Sequence, residues 1–178
     1  MAGIIKLWAR IDPVAPILAL ILCAIGMTYL SSAAPAASFL FRQAVFLFAA
    51  IVAFSFIFTI PYVYWTRYAW LFYALGIGSL IAVALVGTRV NGAKSWFTIG
   101  PIRIQPSEFM KIATILFVAR YISIGDGVRR VGGLIAALAI IAVPTLMIAV
   151  QPDFGGALAF VPMAAGALWI GGGKKRYV

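Results

Sequence analysis

Four basic side chains and one helix start lie within a single stretch between residues 87 and 111. Pro106 is typical of the first position of a helix, Ser107 can cap it, and Glu108 is favourable in its first turn. A helix N-terminus presents unpaired N–H groups and a partial positive charge, which suit a phosphate. The sequence therefore predicts an anion site here, with basic side chains supplied by Arg89, Lys94, Arg103 and Lys111.

Glu108 and Asp153 are the acidic side chains that could act at such a site. Glu108 and Lys111 are three residues apart on one helical face, so they either pair with each other or face a polar cavity and position a substrate. Asp153 lies in a tight turn before an apolar segment, where Asp is a good helix cap. If Asp153 is only a cap, Asn should replace it with little loss. If its charge acts on a substrate, Asn should abolish function.

The composition excludes several common kinds of active site. Histidine is absent and Cys23 is the single cysteine, which removes Ser-His-Asp triads, His-ligated metals and Cys-metal clusters. Hydrophobic residues make up 65% and charged residues 10% of the chain, and the mean hydropathy is +1.10, unlike a soluble domain. The net charge of +10 is therefore assigned to the flanks of membrane spans. We expect an integral membrane protein with no protein-ligated metal and no nucleic-acid partner.

Six apolar segments would position these side chains. Backbone groups in lipid must be satisfied internally, so each segment is predicted to be a helix. The predicted fold class is all-α, a polytopic transmembrane helical bundle that forms one domain over residues 1–178. The stretch between residues 87 and 107 is predicted to be a structured re-entrant loop, because Gly87, Gly92 and Gly100 impose turns. The predicted spans lie near residues 14–30, 44–60, 68–86, 107–122, 134–150 and 154–170.

The distribution of Lys and Arg predicts the orientation. With the N-terminus inside, nine basic residues are cytoplasmic and five are external, which favours both termini inside. Four of the five external charges lie between Arg89 and Lys111, where they weaken this bias. An anionic ligand at the outer face would explain them, and so would lipid headgroups or partner loops. The cytoplasmic set is Lys6, Arg10, Arg67, Arg120, Arg129, Arg130, Lys174, Lys175 and Arg176.

Three motifs resemble one known family. They read Asn91-Gly-Ala-Lys-Ser-Trp96, Ile104-Gln-Pro-Ser-Glu-Phe-Met-Lys111 and Gln151-Pro-Asp-Phe-Gly155, in this order and at these positions relative to the spans. The chain resembles the N-terminal half of the SEDS proteins (shape, elongation, division and sporulation), and their RodA branch more than their FtsW branch. The resemblance extends over essentially all 178 residues.

The resemblance implies a glycosyltransferase of the bacterial inner membrane that polymerises lipid II into peptidoglycan strands for cell shape. A class B penicillin-binding protein and other membrane proteins of the elongation complex would be its partners. A Mg or Mn ion would accompany the pyrophosphate of the substrate. The family often has Arg immediately before the loop tryptophan, where Ser95 stands here, and Lys94 would take its place. The implied substrate-binding residues are Lys94, Trp96, Arg103, Gln105, Ser107, Glu108, Lys111 and Asp153.

No catalytic residue is assigned within residues 1–178. Family members are considerably longer, and their proposed catalytic aspartate lies in an external loop beyond the sixth span. We therefore expect residues 1–178 to carry half of a cavity and to be inactive alone, with Asp153 as a weak candidate for the base. Two alternatives remain: a transporter of the lipid-linked precursor, in which Glu108 and Lys111 take part, or a non-catalytic membrane subunit that only binds partners.

The predicted orientation can be tested with an impermeant thiol reagent. A cysteine placed at Ser95 should react from outside the cell, whereas one placed at Gly127 should react only after the membrane is opened. Because Cys23 would contribute background, both variants are made in a Cys23→Ser chain. Labelling of position 127 from outside would contradict the assignment of every site above.

Overall fold

The computed structural model describes residues 14–33, 37–90, 92–100, 102–124 and 131–172. The chain divides into two compact units, Met1–Pro61 and Tyr62–Val178. The first unit contains helix α1 (Val14–Ala33) and helix α2 (Ala37–Thr59), which contact each other. Hydroxyl groups in both helices donate back to their own helix, for example Thr28 Oγ1 to the Ile25 carbonyl at 2.7 Å, so they add little polarity to an apolar surface.

The second unit contains six helices and a small sheet among its described residues. The first helices are α3 (Tyr62–Arg67) and α4 (Ala69–Val86). The strands β1 (Thr88–Val90), β2 (Ala93–Ile99) and β3 (Ile102–Ile104) follow. The remaining helices are α5 (Pro106–Ser123), α6 (Val131–Val150), α7 (Phe154–Leu158) and α8 (Phe160–Gly172).

The sheet departs from a purely helical prediction. Its antiparallel strands lie in the order β1-β2-β3, in the stretch for which the sequence predicts a structured re-entrant loop. Gly92 (φ 87°) and Gly100 (φ 59°) adopt left-handed backbone at the two turns, a conformation that favours glycine. The strands are short and carry both apolar and basic side chains, so they lack the long apolar run by which the spans were recognised.

The helices otherwise fall close to the predicted segments. Helix α2 begins at Ala37 rather than near residue 44, because the segment before Ala44 also favours helix despite the charge of Arg42. The sixth segment is interrupted at Ala159. Pro162 explains the interruption, since it lacks the N–H that would bond the preceding turn and its ring crowds that turn.

Three helices in the described part of the chain are long and apolar enough to cross a membrane: Leu40–Thr59, Ala69–Val86 and Val131–Val150. Two shorter apolar helical stretches are Pro16–Ser32 and Phe154–Gly166. The structure thus confirms a helical membrane protein, while the number of six spans and the orientation of the termini stay predictions. Ser95 is only 3% exposed, so the exposed neighbour Thr98 is the better place for the external thiol label.

The core of the second unit lies where α4, α5 and α6 meet. Helix α4 approaches α5 closely at Gly76, where an added Cβ would collide with the sulfur of Met110. A larger residue at position 76 would therefore force the buried Met110 side chain to move. The buried cluster consists of Leu80, Met110, Val118, Ile141, Ile148, Ala157 and Phe160.

A hydrogen bond between α4 and α6 compensates for a proline inside α6. Pro144 is buried in the middle of α6 and has no N–H to donate to the carbonyl of Ile140, four residues earlier. The Tyr73 hydroxyl of α4 donates to that carbonyl at 2.8 Å. A neighbouring helix therefore satisfies the backbone acceptor that the proline leaves open, as membrane helices require.

This compensation predicts an energetic coupling between Tyr73 and Pro144. Tyr73→Phe should lower the free energy of unfolding by about 0.5–1.5 kcal/mol, the usual worth of one hydrogen bond. In a Pro144→Ala background the same change should cost clearly less, because the introduced alanine has an N–H that bonds the Ile140 carbonyl. Unfolding in mixed detergent would measure all four proteins, with the exposed Tyr64→Phe as the control. Equal costs in both backgrounds would contradict the coupling.

Candidate functional site

The two sequence motifs that begin helices meet at one hydrogen bond. Gln105 is the residue before α5, and Asp153 is the residue before α7. Gln105 Nε2 donates to Asp153 Oδ2 at 2.6 Å, although the residues are 48 positions apart. The residues that precede α5 and α7 are therefore within hydrogen-bond distance of each other.

The Asp153 carboxylate is held on both of its oxygens. Oδ1 accepts from the backbone N–H of Gly156 at 3.0 Å, which is the helix-capping interaction predicted from sequence. Oδ2 accepts from Gln105. A Cβ at Gly156 would lie 2.7 Å from Oδ2 and 2.9 Å from Cγ, so the carboxylate rests directly on the glycine backbone. The side chain is half-buried and well fixed.

A second glutamine anchors the same turn to α4. Gln151 is 7% exposed, and its Nε2 donates to the Leu80 carbonyl at 3.0 Å. The backbone N–H groups of Gln151 and Asp153 both donate to the Ile148 carbonyl, at 3.1 and 3.3 Å. No individual role was predicted for Gln151 from the sequence. The available signal was a polar amide directly after a long apolar helix, where an unpaired buried amide would be costly.

Glu108 and Lys111 form the ion pair that their spacing allowed. Lys111 Nζ lies 2.7 Å from a Glu108 carboxylate oxygen, and the side chains of Lys111 and Glu108 are 23% and 57% exposed, respectively. Exposed pairs of this kind add little stability. The pair thus holds one negative and one positive charge on the first two turns of α5.

Two buried hydroxyls lie beside this region without a hydrogen-bond partner among the described residues. They are the Oγ atoms of Ser95 on β2 and Ser107 on α5. Ser107 was expected to cap α5, but Gln105 occupies the N-cap position and no side chain caps the helix. Pro106 takes the first helical position, as predicted. The start of α5 therefore lacks a side-chain cap.

The basic residues of the predicted anion site divide into two groups. Lys94 Nζ donates to the Leu85 carbonyl near the end of α4 at 2.6 Å, a favourable place for a cation. Arg103 is exposed on β3 and makes no hydrogen bond or ion pair with other described residues. Trp96 is half-buried on β2, and its carbonyl accepts from the Thr88 hydroxyl at 3.0 Å. A ligand role for these residues stays a prediction, and the cations exposed to solvent are Arg89 on β1 and Arg103 on β3.

The described residues contain no group of three or more His, Cys, Asp or Glu side chains that could hold a metal ion.

A model of the cell cycle protein family FtsW/RodA/SpoVE matches residues 12–178. The chain belongs to this family. FtsW, RodA and SpoVE are the SEDS proteins, so the resemblance of the three motifs is confirmed.

Known proteins of the family cover the chain well but extend beyond it. The protein named "Probable peptidoglycan glycosyltransferase FtsW" of Allochromatium vinosum is 35% identical over 135 residues, which are 74% of this chain and 34% of that protein. The crystal structure of the rod shape determining protein RodA of Thermus thermophilus has a TM-score of 0.76 and 29% identity, covering 95% of this chain and 56% of that one.

A chain from a peptidoglycan synthase complex, described as coordinating polymerization and crosslinking, has a TM-score of 0.82 and 29% identity. The match covers 93% of this chain and 49% of that one. The chain thus spans about a third to a half of the length of these relatives, and it corresponds to part of the family fold.

Proposed function

We propose that this chain is the N-terminal half of a RodA-like peptidoglycan glycosyltransferase, which polymerises lipid II into glycan strands. The observation that carries the proposal is the Gln105–Asp153 hydrogen bond, because it joins the two most specific family motifs at one point. Family membership and the names of the relatives supply the activity. The geometry supplies a fixed carboxylate beside an uncapped helix start and an ion pair.

A site that catalyses this reaction must meet two chemical requirements. The bond between the sugar and the pyrophosphate breaks, so negative charge grows on the leaving group and must be stabilised. The attacking hydroxyl of the acceptor sugar must give up a proton to a base. Arg103, Lys111 and the start of α5 are suited to the first task. For the second, we propose that the base lies in the family's later external loop, and that Asp153 has a supporting role.

The same proposal implies a membrane location, a metal ion and a partner protein for the site. The substrate is lipid-linked, and we place the site at the outer face of the bacterial inner membrane. A Mg or Mn ion would be carried by the pyrophosphate, because Mg²⁺ commonly binds one or two carboxylates together with substrate phosphates. A class B penicillin-binding protein is the proposed partner. Its support is the likeness to a chain of a complex that coordinates polymerization with crosslinking.

Polymerisation of purified lipid II tests the activity. The natural full-length protein, with its transpeptidase partner, should form glycan chains in detergent without a membrane gradient, whereas residues 1–178 alone should form none. The reason is that the proposed base and the later cavity walls are absent from residues 1–178. Lipid II movement in vesicles without polymer would favour the transporter, and polymer from residues 1–178 alone would move the base to Asp153 or Glu108.

A separate test must distinguish a role in cell elongation from one in cell division. The similar sequences are named FtsW, whereas one similar solved structure is named RodA. The elongation role predicts that the natural full-length protein restores rod shape to cells depleted of RodA and leaves FtsW-depleted cells filamentous. Cell length and width measured by microscopy would decide it. Rescue of division alone would assign the protein to the FtsW branch.

A further inference from the structure

We propose that Gln105 is a positioning residue that acts through Asp153, rather than a residue that binds substrate itself. The inference rests on the proposed function, because it concerns how that site holds its carboxylate. It differs from the expectation for Gln105 from the family motif, which placed this side chain among the substrate ligands.

The hydrogen bonds that Gln105 makes define its role. Its backbone is fixed at the start of α5, where its carbonyl accepts from the N–H of Glu108 at 3.2 Å. Its side chain does not cap that helix but crosses to Asp153 at 2.6 Å. One N–H of the amide is therefore committed to a protein acceptor, and this bond sets the orientation of the whole amide group.

The carboxylate is held so that it has one favourable position. Oδ1 accepts a hydrogen bond from the Gly156 N–H, and Oδ2 accepts one from Gln105. The carboxylate also packs against Gly156, where a side chain would collide with it. Gln151 fixes the preceding turn by its bond to the Leu80 carbonyl. Each of these contacts restrains the turn or one oxygen, and among the described residues Gln105 is the one whose side chain links the carboxylate to the start of α5.

A neutral hydrogen-bond donor is better suited than a cation to orient the Asp153 carboxylate without neutralising it. Lys or Arg at position 105 would pair with Asp153 and cancel its charge, whereas the amide orients the carboxylate and leaves the charge in place. Two donors also leave lone pairs of the carboxylate available, since an ionised carboxylate offers about four acceptor positions. The pair therefore presents a fixed negative group at the start of α5, where the substrate is proposed to bind.

Exchange of the two side chains tests the proposal. Gln105→Glu would set two carboxylates against each other. In Asp153→Asn, Gln105 can turn its amide and accept from the introduced asparagine. In the double variant, the introduced glutamate at position 105 accepts from that asparagine in the same way. Gln105→Met removes the donor at similar side-chain length. Ser123→Glu, at an exposed position at the end of α5 and outside the candidate spans, controls for an added charge.

Two measurements are made on every variant. The unfolding temperature of residues 1–178 in detergent measures whether the hydrogen bond between positions 105 and 153 stabilises the protein. The rate of lipid II polymerisation by the natural full-length protein measures whether the bond matters for activity. We expect Gln105→Glu to lower the unfolding temperature by about 2–4 °C or more and to lower polymerisation. Asp153→Asn and the double variant should unfold near the unchanged chain yet polymerise at least about tenfold more slowly.

Gln105→Met should also lose about tenfold in rate, the scale of one hydrogen bond to a charged group. A purely structural role predicts that its activity returns at an assay temperature well below unfolding. Positioning predicts that the loss persists there. Ser123→Glu should match the unchanged protein in both measurements.

Three results would overturn the proposal. They are a double variant that unfolds as early as Gln105→Glu, a double variant with full activity, and a Gln105→Met variant with unchanged activity. If the unchanged full-length protein makes no polymer, the proposed function fails and the activity role of Gln105 fails with it. The unfolding temperatures still decide separately whether the pair exists.

Discussion

Backbone carbonyls that lack a partner constrain how this chain folds. A hydrocarbon environment offers such groups no water, so another part of the protein must donate to them. The Ile140 carbonyl is left open by Pro144 and accepts from Tyr73. The last carbonyls of α3, those of Thr66 and Arg67, accept from the Arg120 guanidinium of α5. The second unit is therefore joined by polar contacts that satisfy helix backbone, in addition to its apolar core.

The site at the start of α5 depends on these backbone contacts. Lys94 donates to the end of α4, and Gln151 donates to the Leu80 carbonyl of the same helix. Together they tie the sheet and the α6–α7 turn to α4. With both supports fixed, the side chains of Gln105 and Asp153 face each other at hydrogen-bond distance. The position of the carboxylate thus follows from how neighbouring helix ends are satisfied.

The sequence predicts those features that depend on local pattern. Apolar runs locate the long helices, Pro106 marks the start of α5, and the spacing of Glu108 and Lys111 implies their pairing. The sheet was missed, although Asn91-Gly92 lies between Val90 and Ala93, a strong short-range signal for a hairpin. The partners of Gln151 and Tyr73 could not be predicted, because they lie 71 and 67 residues away. No local pattern encodes which carbonyl a distant side chain will meet.

The sheet also determines how positive charge is distributed between Arg89 and Lys111. Its register sets Arg89 opposite Lys94, and like charges at opposed positions repel each other. The bond from Lys94 to the Leu85 carbonyl gives one of these charges a partner at the end of α4. On the other edge, Arg103 lies opposite the polar Thr98 and faces no such conflict. Of the four cations predicted to bind an anion, Lys94 is thus used by the fold and Lys111 is paired with Glu108, whereas Arg89 and Arg103 are exposed on the two outer strands.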